Sequence, residues 1–263
     1  MMSEFIELQH EGPVTTIWLN RPDVHNAFSS GLVVELGAAI KAIADDASIR
    51  VVVVAGRGKS FSAGGDLAEM KAAGLASQEE NEAGARRFAE TLRNLAQLGK
   101  PTLARVHGAA LGGGMGLAAA CDICIASENA SFATTEVRVG VIPAIISPYV
   151  IRAIGERQAA RFFLTAERIG AARAAALGLV HECVPAEALD AKIAEIVAAL
   201  LQCGPQAQAA AKDLIRTVAY RSVDDSLLAE TAFRIASQRA QPEAREGLSA
   251  FLEKRAAAWV PKV

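Results

Sequence analysis

The sequence predicts an α/β fold, because short apolar runs of strand length alternate with amphipathic helical patterns and the chain then ends in a long helical region. The chain has 263 residues, 52% of them hydrophobic. A chain of this length and composition can bury one sizeable core.

The elements follow in order. Residues 5–8 and 14–19 predict an N-terminal hairpin, and residues 32–43 predict an amphipathic helix. The runs 51–55, 102–106 and 123–126 are short and almost wholly apolar, which is typical of buried strands. A second amphipathic helix is predicted over residues 88–98.

From about residue 186 the pattern becomes wholly helical. Helices are predicted over residues 186–202, 206–220, 224–238 and 243–254. We therefore divide the chain into a core, residues 1–185, which holds the candidate ligand sites described below, and a helical region, residues 186–263. We expect the helical region to pack on its own core or on a neighbouring subunit.

Composition excludes several classes of function. The 27 basic and 29 acidic side chains give a net charge of −2, so nothing biases the chain toward nucleic acid. The N-terminus lacks a basic segment followed by an apolar one, and the uncharged run of residues 106–121 is too short and glycine-rich to span a membrane. We expect a soluble, cytoplasmic protein.

Cys121 and Cys124 form an isolated C-x-x-C, which favours buried apolar residues over a metal site.

Three glycine-rich stretches are candidate ligand sites. The first, Gly56 to Ser60, resembles the end of a phosphate-binding P-loop, but position 53 is valine where that motif needs glycine. The second is Gly64-Gly65-Asp66, and the third is the run "GGGMG" before the helix-like residues 117–121. Glycine lets backbone approach a ligand, and N–H groups at a helix start are unpaired. Two such donors could hold one oxygen; the alternative is that these glycines only form tight turns.

Six stretches resemble, in order and spacing, the enoyl-CoA hydratase/isomerase (crotonase) family over nearly the whole chain. They are "LNRPDVHNAF", "GRGKSFSAGGDL", "VHGAALGGGMGLAAACDICIA", "FATTEVRVGVIP", "ALGLVHECVP" and "EGLSAFLEKR". Within the family, "ISPYVIRAIGERQAARFFLTAERI" is most similar to bacterial methylglutaconyl-CoA and isohexenylglutaconyl-CoA hydratases.

The resemblance implies a spiral of repeated ββα units, with C-terminal helices that mediate trimers and pairs of trimers. It also implies that the N–H groups of Gly65 and Gly113 form an oxyanion hole for the thioester carbonyl. The substrate carries the coenzyme A, so no separate cofactor or metal is expected. The residues expected to contact it are Val24, Ala63, Gly64, Gly65, Asp66, Leu67, Phe251 and Lys254, the last two commonly from a neighbouring subunit.

Family position makes Glu136 the expected general acid/base. Its apolar neighbours in the sequence could desolvate the carboxylate and raise its pKa. The alternatives are an ion pair with Arg138 or an ordinary loop carboxylate. His107 is a further titratable group near the site, although a lone histidine at a strand end is more often structural.

Two residues depart from the family pattern. Gly116 stands where two-glutamate hydratases carry their second glutamate, which leaves the partner that activates water unassigned. Asp23 stands where family members often have a lysine near the adenosine phosphates, although the backbone around Val24 can still make its contacts.

We predict an acyl-CoA hydratase that acts on a branched or glutaconyl-type enoyl thioester, without nucleic-acid or membrane partners. An enoyl-CoA isomerase that uses one glutamate is the first alternative, and a non-catalytic scaffold or RNA-binding member is the second. A glutaconyl substrate carries a distal carboxylate, for which Arg86, Arg87 and Lys71 are candidate ligands; the alternative is that they form a solvated helix face.

Overall fold

The computed structural model describes residues 4–261 and confirms the α/β fold. Within those residues the chain forms nine strands. They are β1 (Ile6–Glu11), β2 (Val14–Leu19), β3 (Val51–Gly56), β4 (Thr102–Val106), β5 (Ala109–Leu111), β6 (Ile123–Ser127), β7 (Ser131–Ala133), β8 (Ile169–Gly170) and β9 (Glu182–Val184).

The same residues form eleven α-helices. They are α1 (Ser30–Asp45), α2 (Leu67–Ala73), α3 (Gln78–Ala96), α4 (Gly113–Ala120), α5 (Ser147–Ile154), α6 (Glu156–Thr165), α7 (Ala171–Ala176), α8 (Leu189–Leu201), α9 (Pro205–Val218), α10 (Asp225–Arg239) and α11 (Pro242–Leu252). Short 3₁₀ turns cover Pro22–Val24, Glu136–Val139 and Ala186–Ala188. No helix in this part of the chain is long and apolar enough to cross a bilayer.

The strands build two sheets. The larger has the order β1-β2-β3-β4-β6-β9, in which β1 and β2 form the predicted antiparallel hairpin and the other neighbours are parallel. The smaller has the order β5-β7-β8. Because parallel neighbours need crossover connections, the helices cover both faces of the larger sheet.

The alternation of side chains along β3 explains the two faces. Val52 and Val54 join the large core with α1, α3 and α4, whereas Val51 and Val53 face the other way and pack with Leu189 of α8. A strand buried on both faces reads as a continuous apolar run, which is why residues 51–55 were identifiable.

Two helix predictions need correction. The helix expected over 88–98 is α3, which begins ten residues earlier at Gln78 behind a capping box formed by Ser77 and Glu80. The run "GGGMG" does not precede its helix, because α4 begins at Gly113. Helix α2 and helices α5 to α7 were not predicted.

The C-terminal helices attach to the core at defined points. Lys212 of α9 lies 2.6 Å from Asp122, whose carboxylate also accepts from the backbone and hydroxyl of Thr102. Helices α9, α10 and α11 pack against one another and leave large apolar side chains exposed, among them Phe233, Ile235, Leu248, Phe251 and Leu252. The assignment of residues 186–263 to subunit assembly stays a prediction.

Candidate active site

Backbone hydrogen bonds join the first glycine loop to the second. The N–H of Ser62 donates to the carbonyl of Ala109, and the N–H of Leu111 donates to the carbonyl of Ser62, both over 2.9 Å. The loop that carries Gly64 and Gly65 is thereby paired with β5, which leads into α4. Strand pairing, and not only side-chain packing, sets the spacing of the two loops.

Gly64 needs its glycine for conformation and for space. Its φ of +94° is a region that residues with a Cβ rarely adopt, and a Cβ there would lie 3.0 Å from the carbonyl oxygen of Leu111. Its own carbonyl accepts from the N–H of Phe28 over 2.7 Å, and the carbonyl of Phe28 accepts from the N–H of Asp66 over 3.0 Å. These bonds hold Gly65 between two fixed residues.

Asp66 anchors the loop on its other side. One carboxylate oxygen accepts from the N–H groups of Ala68 and Glu69, which caps α2, and the other lies 2.9 Å from Arg21. Arg21 lowers the pKa of Asp66 through this hydrogen bond, despite the opposing effect of burial. Asp66 is therefore a structural anchor of the loop.

The amide N–H groups of Gly65 and Gly113 are unpaired within residues 4–261. Gly113 is the first residue of α4, where an N–H has no partner in its own helix and lies at the positive end of the helix dipole. The preceding Gly112 turns the chain with φ +48° and ψ −118°. Both amides predicted to form an oxyanion hole are free to donate to a ligand.

Glu136 lies against the same turn. A Cβ placed on Gly112 would be 3.1 Å from Oε1 of Glu136 and 3.8 Å from the Cα of Gly64, so this one position adjoins the carboxylate and the first loop. Burial raises the pKa of the Glu136 carboxyl above its usual value, and its Oε2 atom is buried without a hydrogen-bond partner in residues 4–261. The carboxylate and both glycine loops therefore share one site.

Arg138 does not pair with Glu136. Its guanidinium donates to the carbonyl of Ala166 over 2.8 Å, which fixes the 3₁₀ turn of Glu136 to the end of α6. The alternative of a simple ion pair with Arg138 is therefore wrong.

The position of the family's second glutamate is filled by another part of the chain. A Cβ on Gly116 would lie 2.5 Å from the Cβ of Ile146 and closer still to its Cγ2. Both residues are buried, at the contact between α4 and α5. The space that a side chain at position 116 would occupy is therefore filled by Ile146.

The expected coenzyme-binding residues separate into two groups. Val24 lies beside the first loop, since the N–H of Ala63 donates to the carbonyl of His25 over 2.9 Å, and Leu67 is 83% exposed at the start of α2. With Ala63, Gly65 and Asp66 they form the accessible part of one segment, in which Gly64 is buried. Phe251 and Lys254 are not brought to this segment within one chain: both are exposed, at the end of α11, which packs on α9 and α10.

His107 does not face the site as a free base. Its Nε2 lies 2.9 Å from the carbonyl of Gly58, and burial lowers its pKa.

Cys121 and Cys124 are buried, as predicted, and burial raises the pKa of Cys124 to about 12. No group of three or more His, Cys, Asp or Glu side chains in the described part of the chain is arranged to hold a metal ion.

The chain is similar to known proteins over nearly its whole length. The family model described as enoyl-CoA hydratase/isomerase matches residues 9–262. The chain is 33% identical to a crotonyl-CoA hydratase of Syntrophomonas wolfei over 265 residues, with 100% of both chains covered. It is 33% identical to a 2,3-dehydroadipyl-CoA hydratase of Escherichia coli K12 over 255 residues, with 97% of both covered.

Solved structures confirm the fold. An enoyl-CoA hydratase from Shewanella pealeana superposes with a TM-score of 0.95 at 38% identity, over 98% of this chain and 97% of that one. The crotonase-type architecture expected from the sequence is therefore confirmed.

Proposed function

Because the chain belongs to the enoyl-CoA hydratase/isomerase family, we propose that it is a hydratase-type lyase that adds water across the conjugated double bond of a 2-enoyl-CoA thioester. The observation that carries this proposal is the meeting of Glu136 with the free amides of Gly65 and Gly113 around the Gly112 turn. An acyl-CoA thioester is the small-molecule partner, and the cytoplasm is our expectation for its location.

The two amides suit the charge that develops during hydration. As a water oxygen bonds to C3, the electron pair of the double bond moves toward the thioester carbonyl, whose oxygen becomes enolate-like. Preorganised N–H donors stabilise that oxygen more than the ground-state carbonyl, and the loss of one such donor typically costs about 3 kcal/mol. The position of Gly113 at the start of α4 adds the field of the helix dipole.

Glu136 supplies the proton transfers. Its ionised carboxylate takes a proton from the attacking water and then gives it to C2 of the enolate, so that the product gains one water. Because burial raises its pKa, the carboxylate is a stronger base, and its acid is more populated near neutrality, than an exposed glutamate would provide. In this scheme the one carboxylate of Glu136 carries the proton through both steps.

The acyl group we propose is branched or carries a second carboxylate, as in glutaconyl-type thioesters. The relative named as a 2,3-dehydroadipyl-CoA hydratase supports this class, since that name describes a dicarboxylic acyl chain. Assembly into trimers or pairs of trimers is also part of the proposal. It is supported by the exposed apolar side chains of α10 and α11, and it would let Phe251 and Lys254 reach the coenzyme of a neighbouring subunit.

An isomerase is the second candidate, and the packing of Ile146 on Gly116 is the observation that favours it. Without a second carboxylate at that position, Glu136 could move a proton between carbons without activating water. A scaffold or RNA-binding role is the third. The free amides and the unpartnered, buried Oε2 of Glu136 argue against it, because neither is needed for a structural role.

A panel of enoyl-CoA thioesters tests the proposal. Loss of conjugation with the gain of one water supports the hydratase, and a moved double bond at unchanged mass identifies the isomerase. Absence of both with every substrate would contradict an enzymatic role. Glu136→Gln is the control for contaminating activity, since it retains the shape of the side chain but cannot carry the proton.

A further inference from the structure

Ser62 is a fully buried serine at the point where the two glycine loops meet. Its backbone pairs with β5, and its side chain makes contacts in two further directions. One contact is with the loop that carries Gly65, and the other is with the first turn of α4, which carries Gly113. Because a hydroxyl can donate one hydrogen bond and accept others, a buried serine can hold several backbone groups at once.

On the side of the first loop, the Ser62 hydroxyl joins two backbone groups. It donates to the carbonyl of Asn26 over 2.8 Å and accepts from the N–H of Gly64 over 3.3 Å. Asn26 is itself fully buried, and its side chain makes hydrogen bonds to the backbones of Arg21, Arg57 and Ser60. The hydroxyl proton is therefore directed at a fixed carbonyl, which leaves a lone pair of the oxygen for Gly64.

The direction of the Gly65 N–H follows from the same contacts. In a trans peptide, the carbonyl of one residue and the N–H of the next point in opposite directions, and the peptide between Gly64 and Gly65 is trans. The carbonyl of Gly64 accepts from the N–H of Phe28 over 2.7 Å, so the N–H of Gly65 points away from Phe28. Since the N–H of Gly64 is bonded to Ser62, both ends of Gly64 are held, and the amide of Gly65 has a defined position.

On the side of α4, Ser62 packs against Gly114, the residue after Gly113. A Cβ on Gly114 would lie 2.6 Å from the carbonyl oxygen of Ser62, 2.9 Å from its Cβ and 3.2 Å from its Oγ. Gly114 therefore needs its glycine for the first turn of α4 to pack directly on Ser62. The carbonyl of Gly112 accepts from the N–H of Gly116 over 3.1 Å, which directs the N–H of Gly113 away from the helix.

Strand pairing brings the two loops together, and we propose that the side chain of Ser62 fixes the separation between the amides of Gly65 and Gly113. Its hydroxyl holds the residue before Gly65, and its Cβ and Oγ contact the residue after Gly113. The identification of these amides as an oxyanion hole rests on the proposed function. Ser62 is a positioning residue, because it acts through the two amides, whose spacing decides how well they share one oxygen.

Ser62→Ala removes the hydroxyl and retains the Cβ. The N–H of Gly64 and the carbonyl of Asn26 each lose a buried hydrogen bond, so the first loop should shift relative to α4. We expect kcat/KM for the hydration of crotonyl-CoA to fall by about tenfold, because misplaced amides stabilise the enolate-like oxygen less well. The affinity for butyryl-CoA, whose carbonyl develops no charge, should change by less than about twofold.

Bound acetoacetyl-CoA provides a measurement that a general loss of stability would not change. Its enolate carries negative charge on the thioester oxygen and absorbs in the near ultraviolet, so the ratio of bound enolate to bound keto form reports on the two amides. In Ser62→Ala this ratio should fall by about the same factor as kcat/KM. Ser127→Ala is the matched control and should keep wild-type values, since Ser127 is also buried and its hydroxyl donates to Asn129 at the end of β6.

Two further variants separate the contacts of Ser62. Gly114→Ala removes no side-chain hydrogen bond, but its Cβ would push the first turn of α4 away from Ser62, so kcat/KM and the enolate ratio should both fall. Ser62→Cys has a side chain of similar size with weaker hydrogen bonds, and its values should lie between those of the wild type and Ser62→Ala. It replaces the alanine variant in the test if that variant does not fold.

The assignment would be overturned by wild-type values in the Ser62 variants or in Gly114→Ala, or by an equal fall in Ser127→Ala. It would also be overturned by a fall in kcat/KM that the enolate ratio does not share, by an equal loss of butyryl-CoA affinity, or by a wild type that binds no more enolate than exists in solution. An enolate ratio that depends on Ser62, without hydration of any enoyl thioester, would support the positioning role and reject the hydratase. Hydration with a ratio independent of Ser62 would do the reverse.

Discussion

Ile146 fills the space that any side chain at position 116 would need, since a Cβ on Gly116 would lie 2.5 Å from the Cβ of Ile146. Gly116 lies on α4 and Ile146 immediately precedes α5, and both are buried. The glycine and the isoleucine therefore fit each other. A glutamate at position 116 requires a smaller residue at position 146.

Gly116→Glu by itself should destabilise the protein. Overpacking of a core typically costs about 1–3 kcal/mol, and a carboxylate buried beside Ile146 adds a desolvation cost. We expect a fall in Tm of at least about 5 °C by calorimetry. A single variant as stable as the wild type would show that α5 moves aside easily.

The companion variant Gly116→Glu/Ile146→Ala should regain part of that Tm, because the smaller side chain makes room for the carboxylate. If a second carboxylate is what the site lacks, this double variant should hydrate crotonyl-CoA faster than Ile146→Ala alone, which is its matched control. Equal rates in the two variants would mean that Glu136 needs no partner.

Glu136→Gln should separate binding from chemistry. The variant keeps the shape of the side chain but cannot exchange a proton, so kcat should fall by roughly 100-fold or more, while the affinity for butyryl-CoA changes by less than about twofold. Glu128→Gln removes an exposed carboxylate and serves as the control, with wild-type rates expected. Near-normal turnover in Glu136→Gln would transfer the role of proton carrier to another residue.

The raised pKa of Glu136 also gives a pH-dependent stability with a defined sign. Below its ordinary pKa of 4.5 the carboxyl is protonated in the folded and the unfolded chain, and it contributes no difference. Above the raised pKa, ionisation opposes folding. Glu136→Gln should therefore have a higher Tm than the wild type at neutral pH, and this difference should shrink as the pH falls from the raised pKa toward 4.5.

The activity of the wild type should fall with decreasing pH, whereas its stability relative to Glu136→Gln should rise. Since the ionised carboxylate takes the proton from water, kcat/KM for hydration should fall as the pH is lowered through the raised pKa of Glu136. An acidic limb at the ordinary pKa of glutamate would contradict the desolvated environment.

Assembly can be tested on the exposed apolar face of α10. Phe233 is 70% exposed and Ile235 is 50% exposed, and both line a groove between α9 and α10. We expect trimers or hexamers in sedimentation velocity at micromolar concentration, and smaller species for Phe233→Glu/Ile235→Glu. Leu164→Glu changes a leucine on α6 that is 79% exposed and should leave the assembly intact. A monomeric wild type would reject the assembly.

The sequence predicted best those elements whose burial leaves a local pattern of apolar residues. The strand at residues 51–55 was readable because both of its faces are buried, and β2 and β4 have the predicted bounds. The first half of α3 was missed because residues 78–87 are almost wholly exposed and carry no apolar period.

The site was predictable only in part. Gly65, Gly113 and Glu136 came from the family resemblance, and the structure brings all three around one turn. The packing of Ile146 on Gly116 joins residues 30 positions apart, and the packing of Phe88 on Gly113 joins residues 25 positions apart. No local pattern encodes such contacts, because they depend on how α3 and α5 pack against α4.

The pairing of Ser62 with β5 has a consequence for hydrogen exchange. The amides of Ser62 and Leu111 belong to a backbone ladder that runs into the core, so their deuterium uptake should need large-scale opening of the fold. Gly65 and Gly113, only a few residues away, have no such protection and should label quickly in the free protein. A bound thioester would then protect these two amides selectively. Slower deuterium uptake at Gly65 and Gly113 would mark the position of the substrate carbonyl.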